Sequence, residues 1–294
     1  MSRGIVCLTR TLGDTVIGNV LVKNIKLSNP KIELDYIVEQ TYADLVQYNP
    51  YISNVIPISS TEKDWDTVLS TICSSQYDKV FFAQQTSGWD NNWHQRIETR
   101  NSHLLDYYAE RCNVNITDRK LELFVEDCLV PSLTADSSKT IAIHTQTLAN
   151  VKDWSKFSDL VAYLKSLGYD IVHFVRSGEQ HIDGSVRAEL SIKQVMNFFK
   201  QHLCKSFVGL DSGLSYISAA FGVTTIVIQG ATIPVTSGPW GNNVIHIVGN
   251  ANEDCIKNRN NVRCHGILNG NCNFGSKCID NVTVDEVVKA ILLA

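Results

Sequence analysis

Residues 206–216 read SFVGLDSGLSY. An apolar run of strand length, Ser206 to Leu210, stops at Asp211-Ser212-Gly213, and a helical pattern begins at once, with Ser215 to Phe221 as its body. A strand with no polar alternation is buried on both faces, which is the habit of a parallel sheet covered by helices. The same alternation extends outward in both directions. Upstream lie strand-like Thr140 to His144 (TIAIH), amphipathic Trp154 to Leu167 ended by Gly168, strand-like Asp170 to Val175 and helical Ile192 to His202. Downstream lie strand-like Thr224 to Ile228 (TTIVI) and Asn243 to Val248, then a last helix from Val284 to Leu293 behind Thr283 as its cap.

The first part of the chain repeats the pattern. Gly4 to Thr9 (GIVCLT), Ile32 to Val38, Val55 to Ile58 and Lys79 to Ala83 read as strands. Helical patterns run from Gly13-Asp14 to about Leu27, over Tyr42 to Gln47, over Asp64 to Ser74 and up to about Cys112. The rhythm pauses at residues 127–139 (DCLVPSLTADSSK), where a proline and several serines carry no period. The expected organisation is therefore α/β, with Rossmann-like domains at 1–130 and 140–294 facing each other across a cleft. Ligands of open parallel sheets bind beyond the carboxyl ends of the strands, so the loops after those strands are where site residues are sought.

Bulk composition narrows the function classes. The 294 residues are 44% hydrophobic and 19% charged, in the range of a globular protein that buries a core, and the net charge of −4 gives no footprint for nucleic acid. No apolar stretch approaches the length of a membrane helix, and residues 1–10 lack the pattern of a signal peptide. The expectation is a soluble cytoplasmic protein, with peripheral membrane contact left open.

Five segments carry candidate chemistry. Gly13-Asp14 puts a carboxylate at a strand-to-helix turn, where it suits a general base and equally a first-turn helix acid. Asp211, Ser212, Gly213 and Leu214 combine free helix-start N–H groups with a hydroxyl, which suits phosphate; an ordinary cap has the same signature. Thr145, Gln146 and Thr147, followed by Lys152, offer donors and a cation for a leaving diphosphate, although a lone lysine is commonly a solvated one. Glu179, in Arg176-Ser177-Gly178-Glu179 after the second strand of the second half, stands where an acid grips a ribose, or in a plain turn. Gly230 and Thr232, with the later Gly238-Pro239-Trp240, form a glycine-proline loop after a strand, which lines the cleft on the donor side or is a turn-rich connection.

The order and spacing of these segments resemble glycosyltransferase family 9, the heptosyltransferase family of GT-B fold, over nearly the whole chain. The resemblance rests on Gly13-Asp14, Asn49-Pro50-Tyr51 before Asn54-Val55-Ile56, Lys152-x-Trp154, the Leu190-Ser191 turn, Gly209-x-Asp211-Ser212-Gly213 and Gly230-x-Thr232-x-Pro234. It implies an inverting transfer from a nucleotide-diphosphate sugar, typically ADP-heptose, to a hydroxyl of a glycan or protein, without a catalytic metal. Asp14 would then be the base and Lys152, Thr145 and Thr147 the diphosphate clamp. Ser212, Gly213 and Leu214 would cradle phosphate, and Glu179 would bind the nucleoside. Trp89, Trp93, His94 and Arg96 would face the acceptor or pack under a loop. The family's usual histidine after the Asp-x-Gly motif is Tyr216 here, a donor-binding candidate that can still donate a hydrogen bond but carries no charge near neutral pH, and the family's proline six residues after the aspartate is Val20. The alternatives are a nucleotide-sugar epimerase on the same architecture and a non-catalytic sugar-nucleotide binding protein.

Cys255, Cys264, Cys272 and Cys278 crowd an Asn- and Gly-rich tail. Their number fits a structural Zn or Fe site, two disulfides or free thiols. Some relatives that glycosylate proteins bind iron through a similar end.

Overall fold

The computed structural model describes residues 2–59, 68, 70, 72–73, 76–83, 102–147, 150–250, 272 and 277–293. They fall into two units that divide between residues 127 and 128.

The first unit is a four-stranded sheet in the order β3-β2-β1-β4, built from β1 (Arg3–Cys7), β2 (Glu33–Glu39), β3 (Asn54–Ile58) and β4 (Lys79–Phe82). All of its strand pairs are parallel. Helix α1 (Leu12–Ser28) is buried along most of its length. It can lie close to the sheet because Gly18 has no side chain: a Cβ there would collide with the Tyr36 hydroxyl. Helix α2 (Leu104–Cys112) ends in a left-handed Asn113, φ 51°. The chain then runs without helix or strand and is tied to α1: Asn24 accepts the N–H groups of Thr117 and Asp118, and Lys23 pairs with Asp118 and Glu122. The helix read at Tyr42 to Gln47 is a 3-10 turn at Gln40–Leu45. Most of the segment Asp64 to Ser74 lies outside the described residues.

The second unit is a six-stranded parallel sheet in the order β10-β9-β8-β5-β6-β7. Its strands are β5 (Thr140–Ile143), β6 (Asp170–Phe174), β7 (Val186–Ala188), β8 (Ser206–Leu210), β9 (Thr224–Gln229) and β10 (Val244–Val248). Its helices are α3 (Phe157–Ser166), α4 (Ile192–Lys200), α5 (Gly213–Ala220), the single turn α6 (Pro234–Ser237) and α7 (Val284–Leu293). Ser191 starts α4 with a capping box, exchanging hydrogen bonds with Gln194. One core face joins Leu160, Leu164, Val208, Ile226, Ile228, Val287 and Ile291. A second packs Phe174, Phe198, Phe199 and Phe207 largely edge to face.

Some elements of this unit differ from the sequence reading. Helix α3 starts at Phe157 rather than Trp154, because the preceding residues are held by the tail: the Trp154 indole N–H donates to Val282 O and Ser155 donates to Asp280. Strand β7 was not expected; at three residues on the sheet edge it is too short to show a period.

In both sheets the strand order reverses next to the first strand of the unit, between β1 and β4 and between β5 and β8. Such switch points open a crevice at the carboxyl ends of the strands. Asp14 follows β1, Thr145 follows β5 and Asp211 follows β8, so the fold places each of these candidates at a switch point.

Candidate active site

Asp14 sits in the first turn of α1 and is only 7% exposed. Its Oδ2 accepts from the Thr11 hydroxyl (2.7 Å), the Thr11 N–H (3.1 Å) and Arg10 Nε (3.4 Å). Its Oδ1 accepts from the Tyr108 hydroxyl at 2.5 Å. The residue is thus a helix-capping acid, as the plainer reading had it, and also a buried carboxylate ringed by hydroxyls. Burial, and then the Asp14 charge, push the Tyr108 phenol well above its ordinary range, so it stays a donor. The Tyr36 hydroxyl nearby is buried without a partner among the described residues. Gly13 precedes Asp14 in the same turn, half-buried. Trp89, Trp93, His94 and Arg96 lie outside the described residues.

The second unit brings together residues far apart in sequence. Lys152 Nζ lies 2.8 Å from Asp211 Oδ2. The same oxygen accepts from the Thr232 hydroxyl (2.6 Å) and the Ser237 hydroxyl (3.2 Å). Asp211, 8% exposed, therefore anchors a cation that a solvated lysine would leave free. Next to it the Ser212 hydroxyl caps nothing: it is buried with no partner among the described residues, although its residue is the N-cap of α5. The first N–H groups of a helix have no partner within it, so Gly213 and Leu214 add donors to that hydroxyl.

Thr145 and Thr147 separate. The Thr147 N–H and hydroxyl both donate to Asp153 Oδ1, at 2.8 and 3.0 Å, which closes the turn before α3. The Thr145 hydroxyl instead meets His173 Nε2 at 2.9 Å. Gln146 between them is exposed. Glu179 closes its own loop: its carboxylate accepts from the Arg176 N–H and Nε, both at 2.7 Å, and its carbonyl accepts from Arg187. Burial alone would raise this carboxyl, but the Arg176 bonds hold it below its ordinary range.

Tyr216 is buried, with its hydroxyl donating to Ser237 O at 2.8 Å and its ring edge-on to Trp240. Gly230 serves a close approach, since a Cβ there would lie 2.5 Å from the Ile279 backbone N. The tail turn Cys278–Asn281 thereby rests on the loop after β9. Of the four tail cysteines, Cys255 and Cys264 lie outside the described residues, while Cys272 packs against Val151 and Ala231. Among the described residues no group of three or more His, Cys, Asp or Glu is placed to hold a metal, and no helix is long and apolar enough to cross a membrane.

Sequence reading missed Ser237, Tyr108, His144 and His173. Each is joined to the site only by tertiary approach, or falls in a strand-like run where it reads as filler. His144 and His173 both fall to about 4, chiefly through burial, and His144 Nδ1 is buried without a partner among the described residues.

Two parallel-sheet units in one chain, with a buried acid after the first strand of one and an anion-ready helix start in the other, define a GT-B type glycosyltransferase fold. The family model for glycosyltransferase family 9 (heptosyltransferase) matches residues 95–265, more than half of the chain, and the chain belongs to that family. An autotransporter heptosyltransferase of Citrobacter rodentium, BAHTCr, is 28% identical over 115 residues. That match covers 34% of this chain and only 28% of the relative's length. The family 9 glycosyl transferase of Veillonella parvula superposes with a TM-score of 0.74 at 14% identity, covering 100% of this chain and 98% of that one. The dodecameric iron-containing heptosyltransferase TibC of Escherichia coli H10407, in complex with ADP-D-beta-D-heptose, gives 0.67 at 17% identity, covering 99% of this chain and 76% of its own.

Proposed function

We propose that the protein transfers a sugar, a heptose in the first instance, from a nucleoside-diphosphate donor to a hydroxyl of a glycan or protein. The observation that carries this reading is the Lys152–Asp211–Thr232 cluster beside the unpartnered Ser212 hydroxyl at the start of α5. As the glycosidic bond to the diphosphate breaks, negative charge accumulates on the leaving phosphate. A cation fixed by Asp211, together with helix-start N–H groups, stabilises that charge most where it is largest. Asp14 takes the proton of the acceptor hydroxyl, which takes the place of the Thr11 hydroxyl on Oδ2.

A panel of nucleotide sugars tests this by thermal shift, because a ligand bound only by the folded state raises the melting temperature. ADP-heptose is expected to raise it, and nucleoside diphosphate is expected to be released only when an acceptor is added. No shift with any nucleotide sugar would refute the reading. Isomerisation of the donor without acceptor would point instead to an epimerase, and binding with no release to a silent binder.

The four tail cysteines we assign to a structural Zn or Fe site. Four sulfur ligands leave no open position for chemistry, so the metal would clamp the tail, whose Cys272 already rests against Val151 beside Lys152. Elemental analysis of the purified chain is expected to give one such metal, and a metal-free protein with full activity would remove the assignment.

A further inference from the structure

Thr145 and His173 form a pair whose proton placement is fixed by a third group. The Ile182 N–H points at His173 Nδ1 at 3.2 Å, so Nδ1 must present a lone pair. A neutral imidazole carries one N–H, which therefore sits on Nε2 and donates to the Thr145 hydroxyl oxygen at 2.9 Å. Protonating Nδ1 would set two N–H groups head to head. Burial acts in the same direction, lowering His173 to about 4, with His181, Glu179 and Arg187 the charged or titratable groups around it. Since the Thr145 oxygen accepts from His173, its own proton must go to another acceptor, and none is found among the described residues.

Thr145 follows β5, whose neighbour β8 leads into Asp211-Ser212-Gly213, so both open on the same rim of the sheet. A hydroxyl left to donate outward, on the same sheet rim as a buried unpartnered hydroxyl and a helix start, suits an anionic oxygen. We propose that His173 is a positioning residue that orients the Thr145 hydroxyl as a hydrogen-bond donor to a phosphoryl oxygen of the bound nucleoside diphosphate. The inference rests on the donor site proposed above and adds a residue that touches no substrate itself.

Calorimetric titration of the full chain with ADP, and with adenosine as control, tests it. Thr145→Val and His173→Ala are each expected to weaken ADP about tenfold, the value of one charge-assisted hydrogen bond, and to leave adenosine unchanged. The double variant is expected to be no weaker than either single one, because both remove the same bond. The amide pair separates positioning from packing. His173→Gln keeps a donor where Nε2 was and is expected to bind ADP within about twofold of wild type. His173→Asn keeps only the acceptor for the Ile182 N–H and is expected to behave like alanine. If alanine does not fold, the Gln and Asn pair still decides. Equal binding by Gln and Asn, multiplied losses in the double variant, or a matching loss for adenosine would overturn the role of His173. A wild-type chain that binds none of ADP, UDP and GDP would instead sink the donor-site reading, and this inference with it.

Discussion

Asp14 and Asp211 are buried to the same degree, 7% and 8% exposed, and each follows a strand at the switch point of its own sheet. Their partners differ in kind. Asp14 is held by the hydroxyls of Thr11 and Tyr108, one N–H and a long contact to Arg10. Asp211 is held by a full ammonium, that of Lys152, together with the hydroxyls of Thr232 and Ser237 on the same oxygen. A hydroxyl donor can be exchanged for a substrate hydroxyl with little change in free energy. A close ammonium cannot, because parting the pair leaves a charge unpaired in a low dielectric. The two carboxylates therefore suit the different work proposed for them, one to receive a proton and the other to aim a cation.

The largest effect that would break this comparison is on turnover. Asp14→Asn keeps the shape of the side chain but cannot accept a proton. Turnover is expected to fall about a thousandfold, with donor affinity within twofold of wild type. A fall of less than tenfold in steady-state transfer would end the case for Asp14 as base. Lys152→Met is the counterpart. Donor affinity is expected to fall about tenfold, and stability by about 1–3 kcal/mol, as Asp211 is left buried without its cation. Adding Asp211→Asn should restore stability in urea unfolding without restoring affinity. Recovery of both would mean that Lys152 serves the fold alone.

How far the sequence shows all this follows from range. Strand and helix identities are local, so apolar runs such as Ser206–Leu210 and the break at Asp211-Ser212-Gly213 were legible, and the parallel sheets followed from the alternation. Lys152, Asp211 and Thr232 were each named from their own loops, but their meeting on one oxygen was not, since residues 59 and 21 positions from Asp211 give no local sign of it. His173 was invisible for a different reason. It lies inside β6, where a histidine reads as strand filler, and only the Ile182 N–H and the Thr145 hydroxyl give it a direction. Tyr216 shows the converse: chosen by position in a motif, it spends its hydroxyl on Ser237 O.

The smallest expected effect sharpens the contrast between the units through pH. His144 and His173 belong to the second unit and both fall to about 4 in the folded state, mainly by burial. In the unfolded chain a histidine titrates near 6.5. Between these values the unfolded state binds more protons, so stability is fully present above about 6.5 and is lost as pH falls toward 4. In the first unit Asp106 and Glu122 are lowered instead, despite a burial penalty, by Arg119 and by Lys23 respectively. Their contribution is lost only below the ordinary carboxylate range, about 4. From pH 6.5 to 5 these two histidines, together with His246, which burial also lowers, are the groups expected to destabilise the chain, His144 and His173 each by at most about 2 kcal/mol. Urea unfolding at pH 7 and pH 5 reads this loss directly. His173→Gln cannot take up the proton and is expected to flatten the dependence by its own share, at most about 2 kcal/mol. An unchanged slope in that variant would show that His173 is protonated in the folded protein, and the buried, neutral imidazole inferred from the Ile182 N–H would fail with it.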